Sequence, residues 1–525
     1  RHLHVRAMAM LVGLDERIAA LQGVRIVVIR RNGRFVMEDE AAALAGRAFL
    51  GERLDQTLAD ALAGEAAGDI TFGDKATLTG ATDGVTIASA GGSIYMGNEL
   101  TVESNAQKTL FSAQKGDIVI GSEAKLTSSN NQIEFEAGRN VVFNEDFDVH
   151  GLGFVVNAGN NVTVGDNQTV ETFFSEGDYH TSVTAGNDIV FGVKAQFHTT
   201  ELVLTAERGG VTFGDDSVTR TSVQGIRVTA QDDVIYGNRA VFGTIENAEE
   251  GNISIDSLSG NVLLGNDATI FSGASTSISA AEGVTLGAES TILSTPESSD
   301  SLVSINAGKG DIEIGALALI EGYEAKLKTK EGSVHLGDAA FVITSNAFEI
   351  EAARDIRVDG DFTVLDVSLG DAADKLVRFE TTAGDIAFAD NASMQTQGSV
   401  QIVSGNDVRF GDNANIATEA DPDDDAPHDV NLQASGSVAF GEHAQLQTKG
   451  AIAVAGVEGV SFAADAQLGS SAGSVRIESA EGSIAFTGGA NAYAEESLVI
   501  SAGESVTLTG ESWLDAFEEL SVTAE

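Results

Sequence analysis

The sequence predicts an all-β protein, a parallel β-solenoid of about nineteen coils of 22–30 residues with three strands per coil, preceded by a small α+β N-terminal cap. Three observations carry this expectation. A motif of the form Gly/Asn-Asp-Ile/Val-x-Phe/Leu-Gly returns at near-regular steps from residue 68 onward. Within each period apolar and polar residues alternate, the two-residue rhythm of a strand with one buried face. The 525 residues include 59 Gly but only 3 Pro, and 42% are hydrophobic, a mixture that suits short strands, tight turns and a large core.

Residues 1–66 stand outside the repeat. Leu3–Leu21 is Ala-rich and apolar and reads as a helix. Val24–Met37 reads as a hairpin, because Asn32-Gly33 between two apolar runs supplies the positive φ angles of a two-residue turn. Glu40–Ala63 reads as a second helix with Leu44, Ala48, Leu54, Leu58 and Leu62 on its apolar side. A segment of this kind can cover the otherwise open edge of a first coil, or serve as a docking module.

The solenoid itself is expected over residues 67–525. Its first strand begins at Ile70, Ile94, Ile118, Val141, Val162, Ile189, Val211, Val234, Val262 and Val284, and continues from Ile312 through Val334, Ile356, Ile386, Val408, Val438, Val460, Ile484 and Val506. Second strands recur at Ala195/Phe197 and Ala444/Leu446, and third strands at Leu202/Leu204 and Leu498/Ile500. Glycine follows the first strand in thirteen periods, Gly73, Gly97 and Gly411 among them, and the expectation is a corner that needs positive φ. One coil cannot bury its apolar face alone, so stability has to come from stacking. Right-handed winding is expected, because parallel crossovers favour that hand.

Five periods are long, and their extra residues fall between the second and third strands. The inserts centre on Ser175–Asp178, Glu246–Glu250, Pro296–Asp300, Gly370–Asp374 and Asp421–Pro427. They hold all three prolines and many carboxylates, and read as an acidic ridge along one corner, a solvated edge or a binding face.

Charge limits the partners. The formal net charge is −49, and from residue 64 onward 71 acidic residues face 21 basic ones, so nucleic acid is disfavoured. Residues 1–36 are the opposite, with seven Arg against Asp15 and Glu16. No stretch approaches the roughly 18 apolar residues of a membrane-spanning helix. With no cysteine there are no disulfides or thiolate metal sites. No signal peptide is visible after Arg1, so a processed or partial chain is expected.

The search for chemistry gives no catalytic set and no cofactor motif, and the expectation is a protein that is not an enzyme. Asp69, Asp117, Asp188, Asp233, Asp311 and Asp407 recur once per coil, which marks a structural corner and not a unique catalytic carboxylate. Asp421, Asp423, Asp424, Asp425 and Asp429 are candidate oxygen ligands for calcium, or an acidic loop without metal. His2-x-His4 reads as incidental.

Candidate assembly residues lie at the two ends. Arg25, Arg30, Arg31 and Arg34 form the densest positive patch of the sequence. The coil pattern runs to Glu525, where Trp513 and Leu520 sit among Glu511, Asp515, Glu518, Glu519 and Glu525. Open strands, exposed apolar side chains and opposite charge fit a head-to-tail homopolymer.

The repeats Gly68–Gly73, Gly116–Gly121 and Asn406–Gly411, with their neighbours, resemble those of large repetitive bacterial surface proteins. Filamentous-haemagglutinin-like adhesins and autotransporter passengers are the nearest class. The likeness covers roughly residues 67–525, without a recognisable two-partner secretion signature near the N-terminus or a translocating barrel near the C-terminus. It implies a fibrous protein, extracellular or at the cell surface, engaged in adhesion, matrix or sheath formation. One expectation is the structural subunit of a filament, sheath or surface layer. The other is an adhesin stalk that binds a cell-surface polysaccharide or a partner surface through its acidic ridge.

Overall fold

Each period folds into one coil of short strands that pair in parallel with the same strands of the next period, and the chain is a parallel β-solenoid of about 18 turns. The computed structural model describes residues 29–31 and 34–36 and, from residue 68 on, all but 81–83, 106–107, 173–179, 245–249, 296–300, 361–374 and 419–427. Among the described residues there is no helix. Contacts divide the chain into two units, residues 1–251 and 252–525.

In the first unit, eight first strands run from Ile70–Phe72 to Val234–Tyr236. Each pairs in register with its successor, Ile94 opposite Ile118 and Ile189 opposite Val211, for example. The second coil shows the plan. Ile94 and Met96 point inward from the first strand, Val102 and Ser104 from the second (Thr101–Ser104), and Thr109, Phe111 and Ala113 from the third (Thr109–Ala113). Rings fill the core where the coils supply them. Phe191, Phe213 and Tyr236 stack at centroid spacings of 4.8 and 4.9 Å, and Phe197 and Phe242 meet that column edge-on.

The second unit holds eleven first strands, from Val262–Leu264 to Val506–Leu508. Ile312 and Val334 are fully buried, as the inward assignment requires. From Phe388 to Phe486 the last residue of each first strand is aromatic. Phe388, Phe410, Phe440, Phe462 and Phe486 stack with ring centroids 5.1, 4.7, 4.7 and 4.5 Å apart and planes within 14°. The close spacing follows from strand pairing, which sets neighbouring rungs about 4.8 Å apart.

The corner glycines have a different cause from the expected one. None of the thirteen has a left-handed φ; that conformation falls two residues later, on non-glycine residues such as Lys75 (63°), Glu99 (55°), Leu317 (57°) and His443 (57°). What the glycine supplies is room. A Cβ on Gly97 would lie 2.5 Å from the carbonyl carbon of Gly73 and the nitrogen of Asp74 in the coil before it. A Cβ on Gly411 would lie 2.5 Å from Asp390 Oδ1. At these glycines successive corners pack backbone on backbone, while coils with Asn144, Asp359, Ala389 or Ala463 at the same place keep the same inter-coil bond.

A second correction concerns the corner between the second and third strands. Two coils have no turn there: Leu319–Thr329 and Phe341–Ala352 run through as single bent strands, with a register shift between Gly322 and Glu324.

Of the hairpin expected over Val24–Met37, the described residues show an antiparallel pair, Ile29–Arg31 against Arg34–Val36, and Asn32 and Gly33 lie outside them. The two expected N-terminal helices lie outside the described residues, as do the centres of the five acidic inserts apart from Glu250, which opens the strand Glu250–Ser257.

Candidate functional site

Two corner ladders account for most of the recurring carboxylates and amides. At the entry to the first strand, Asp69 Oδ1 accepts the Ser93 N–H (2.7 Å), and Ser93 Oγ in turn accepts that of Asp117 (3.0 Å). Asp117, Asn140, Asn161 and Asp188 continue the chain, each accepting one backbone N–H of the next coil. The second unit repeats it through Asp311, Ser333, Asp355, Asp385 and Asp407. At the exit from the strand, Asp74, Asn98, Asp166 and Asp215 do the same in the first unit, and Asn266, Asp390 and Asp412 in the second. These side chains satisfy corner N–H groups that the strand pairing leaves over.

Two acids of the ladder are held low. A bond from Arg139 holds Asp117 below the ordinary carboxylate range, ahead of the opposing effect of burial. Burial pushes Asp407 up, but the N–H and hydroxyl of Ser437 and the Arg409 guanidinium together bring it below the ordinary value.

The outward face carries charge in columns. On the third strands of the second unit, Lys326 Nζ lies 2.9 Å from Glu349 and 3.3 Å from Glu351, and Lys328 also pairs with Glu351. On the first strands, Glu313, His335 and Arg357 stand side by side on three successive coils. His335 Nδ1 is 2.8 Å from Glu313 Oε2, and its Nε2 is 2.7 Å from Asp359 Oδ2. In the first unit, His150 lies between Asp148 (3.0 Å) and Glu171 (3.1 Å).

Two grooves lie at the corner between third and first strands, one in each unit. A groove of about 510 Å³ in the second unit lies where third strands turn back to first strands, over Ser435, Gly456, Ala480 and Gly503, with Gln433 and Glu478 at its rim. A groove of about 480 Å³ occupies the same corner in the first unit, over Gly138, Gly159 and Gly186, flanked by Gln114, Glu136, Asn157 and Glu207.

The residues singled out by sequence have mixed places. Asp421, Asp423, Asp424 and Asp425 lie outside the described residues, and Asp429 Oδ1 accepts the Ala451 N–H at 2.8 Å. Among the described residues no group of three or more His, Cys, Asp or Glu side chains is arranged to hold a metal ion. Arg30, Arg31 and Arg34 lie on the hairpin strands, and Arg25 falls outside the described residues. In the last coil, Trp513 is 46% and Leu520 49% exposed, and Glu518 and Glu519 are exposed beside them. The arginines and the last coil belong to different units. The outward charge columns were not singled out from sequence. Their signal is present, because Glu313, His335 and Arg357 hold the same place in three consecutive periods of 22 residues.

Compared with protein-family models, curated proteins and solved structures, the chain matches none.

Proposed function

We propose that the chain is a structural, non-catalytic subunit of an extracellular filament, sheath or surface layer, in which copies add head to tail. The observation that carries the reading is the in-register stacking of like coils, which continues through the strands that end at Ala524. There Trp513–Ala516 and Glu519–Ala524 pair with the coil before them, and Leu508, Leu520 and Val522 continue the inward columns in register. A strand edge with apolar columns in stacking register is complementary to another such edge. The N-terminal arginines Arg25, Arg30, Arg31 and Arg34 supply charge opposite to that of Glu511, Glu518, Glu519 and Glu525. Two unlike surfaces in contact need not close into a ring.

Electron microscopy of the purified chain tests this, with continuous fibres as the expected result. Deleting residues 1–66, or changing Arg30, Arg31 and Arg34 to Glu, should abolish fibres while the coils keep their circular dichroism. Fibres that persist in both variants overturn the head-to-tail arrangement. A second reading, a surface adhesin whose outer face binds a polysaccharide, draws support from the two polar-rimmed grooves. Isolated particles that bind glycan without polymerising would favour it.

A further inference from the structure

The outward column of the first strands contains an arrangement that a neutral histidine cannot satisfy. Both ring nitrogens of His335 face carboxylate oxygens, Glu313 on one side and Asp359 on the other. An ionised carboxylate only accepts hydrogen bonds, and a neutral imidazole has one N–H to give. Both contacts are hydrogen bonds only when the ring is an imidazolium. Asp359 also takes Arg357 Nε at 2.5 Å, so the order is Glu313, His335, Asp359, Arg357, with alternating charge. These groups come from three successive coils, whose strands pair Glu313 with His335 and His335 with Arg357. The nearby corner acids are already engaged: Asp311 accepts the Ser333 N–H and Asp355 that of Asp385. Asp338 lies in the turn beyond Leu336 and is exposed. His335's own strand adds no charge, since Val334 and Leu336 point inward.

We propose that His335 is a pH-sensitive latch, an imidazolium that ties the three coils together through Glu313 and Asp359 and lets go when it loses its proton. Loss of the proton leaves one ring nitrogen as a bare acceptor facing a carboxylate oxygen, so deprotonation loses one bond and takes the donor's charge from the other. The balance of environment agrees in direction. Burial alone would push the imidazole down, but bonds to Asp359 and Glu313 and their charges outweigh it and hold it above its ordinary value. The sign is therefore fixed. The latch is fully engaged below the ordinary histidine value of about 6.5, and is lost as pH rises through the higher folded-state value. This makes the three coils tighter in mildly acidic surroundings and looser in alkaline ones, without a change of fold.

The test is a titration of the full chain with ¹³C-labelled histidine, read by NMR, with the His335 signal assigned by its loss in His335→Gln. The expected midpoint lies above about 6.5; a midpoint at or below that value overturns the proposal. Hydrogen exchange supplies the second reading. Amides of Ile312–Ile314, Val334–Leu336 and Ile356–Val358 should be several-fold better protected in the parent than in His335→Gln below the midpoint, and equally protected well above it. Equal protection at both pH values also overturns it. If His335→Gln does not fold, Glu313→Gln serves, since it leaves the Asp359–Arg357 pair in place. It should bring the His335 midpoint down, and an unchanged midpoint refutes the latch.

Discussion

Two stretches of the second unit share a backbone plan and are held by different chemistry. In the coils that begin at Ile312, Val334 and Ile356, the third residue of the first strand is Ile314, Leu336 or Val358, and the outward residue is Glu313, His335 or Arg357. In the coils from Ile386 to Ile484 the last inward residue is always Phe, and the outward ones are Ala387, Arg409, Ala439, Ser461 and Ala485. The aliphatic stretch carries charge on all three outward positions, whereas the aromatic stretch keeps Arg409 alone there, paired with Asp385 and Asp407, and adds ring stacking within. Both keep the same corner ladder, Asp311 to Asp385 in one and Asp385 to Ser437 in the other. The corners therefore set the coil, and the strand faces are free to vary. It follows that the two stretches should answer differently to solvent conditions.

The largest expected effect separates them from the inside. Phe440→Ala removes a fully enclosed ring from the middle of the stack and should cost about 3–5 kcal/mol. Denaturant unfolding with hydrogen exchange should place the loss in the strands around Phe410 and Phe462. Phe440→Leu should recover most of it, leaving a deficit of roughly 0.5–1.5 kcal/mol for the lost stacking. Full recovery would show that the column is only a set of buried apolar groups.

A smaller effect separates them from the outside. The bond from Lys328 lowers the Glu351 carboxyl, with Lys326 adding to it against burial. A depressed folded-state value means stability that is present above the unfolded value and lost as pH falls through the folded one. Glu351→Gln should cost up to about 1 kcal/mol at neutral pH in low salt, and nothing in 1 M salt, where screening shortens to about 3 Å. With His335 releasing on the alkaline side, the aliphatic stretch should be most stable between the two titrations. The aromatic stretch, where Asp407 is held low, should respond on the acid side. Hydrogen exchange across a pH series, corrected for intrinsic rates, reads both, and parallel profiles would remove the distinction.

The smallest effect concerns the shared corner. Leu317 is 51% exposed and holds φ at 57°, a conformation that costs an ordinary side chain roughly 1–2 kcal/mol. Leu317→Asn should raise stability by about 0.5–1 kcal/mol, because Asn tolerates the left-handed region. An unchanged or lower melting temperature would show that Leu317 makes a contact worth the strain.

The period was legible because each inward column repeats one residue class every turn; Ile312, Val334 and Ile356 could be aligned by eye and are all fully buried. The recurring Asp and Asn were legible as corner residues for the same reason. What glycine does at the corner was not legible. A positive φ and a crowded approach both exclude side chains, and only the packing of Gly97 on Gly73 and Asp74 distinguishes them. The left-handed positions were invisible because Lys75, Glu99, Leu317 and His443 have no common chemistry. Nor did sequence show that Leu319–Thr329 bends without a turn, since its alternation simply continues past Gly322. The outward histidine latch escaped notice because its members lie 22 residues apart and share no local motif.

The corner ladder also has a consequence for how such a gene can change length. Most coils offer one side-chain oxygen forward and one N–H backward at the same corner, with Gly210 and Gly283 as exceptions that only donate, so a coil that carries both can follow another of its kind. Excising the 22 residues from Val438 to Gly459 would join Ser437 to Val460, set Phe462 over Phe410, and present the Ala464 N–H to Asp412. Duplicating the same stretch would be equally well accommodated. Losing two residues from within one of its strands would instead shift that strand against its neighbours by two positions, whereas the turns already absorb such differences, since Ile94, Ile118, Val141 and Val162 stay in one column at steps of 24, 23 and 21. Whole-period changes and small changes in turns are thus the quiet mutations of this sequence, and small in-frame ones within strands the damaging kind.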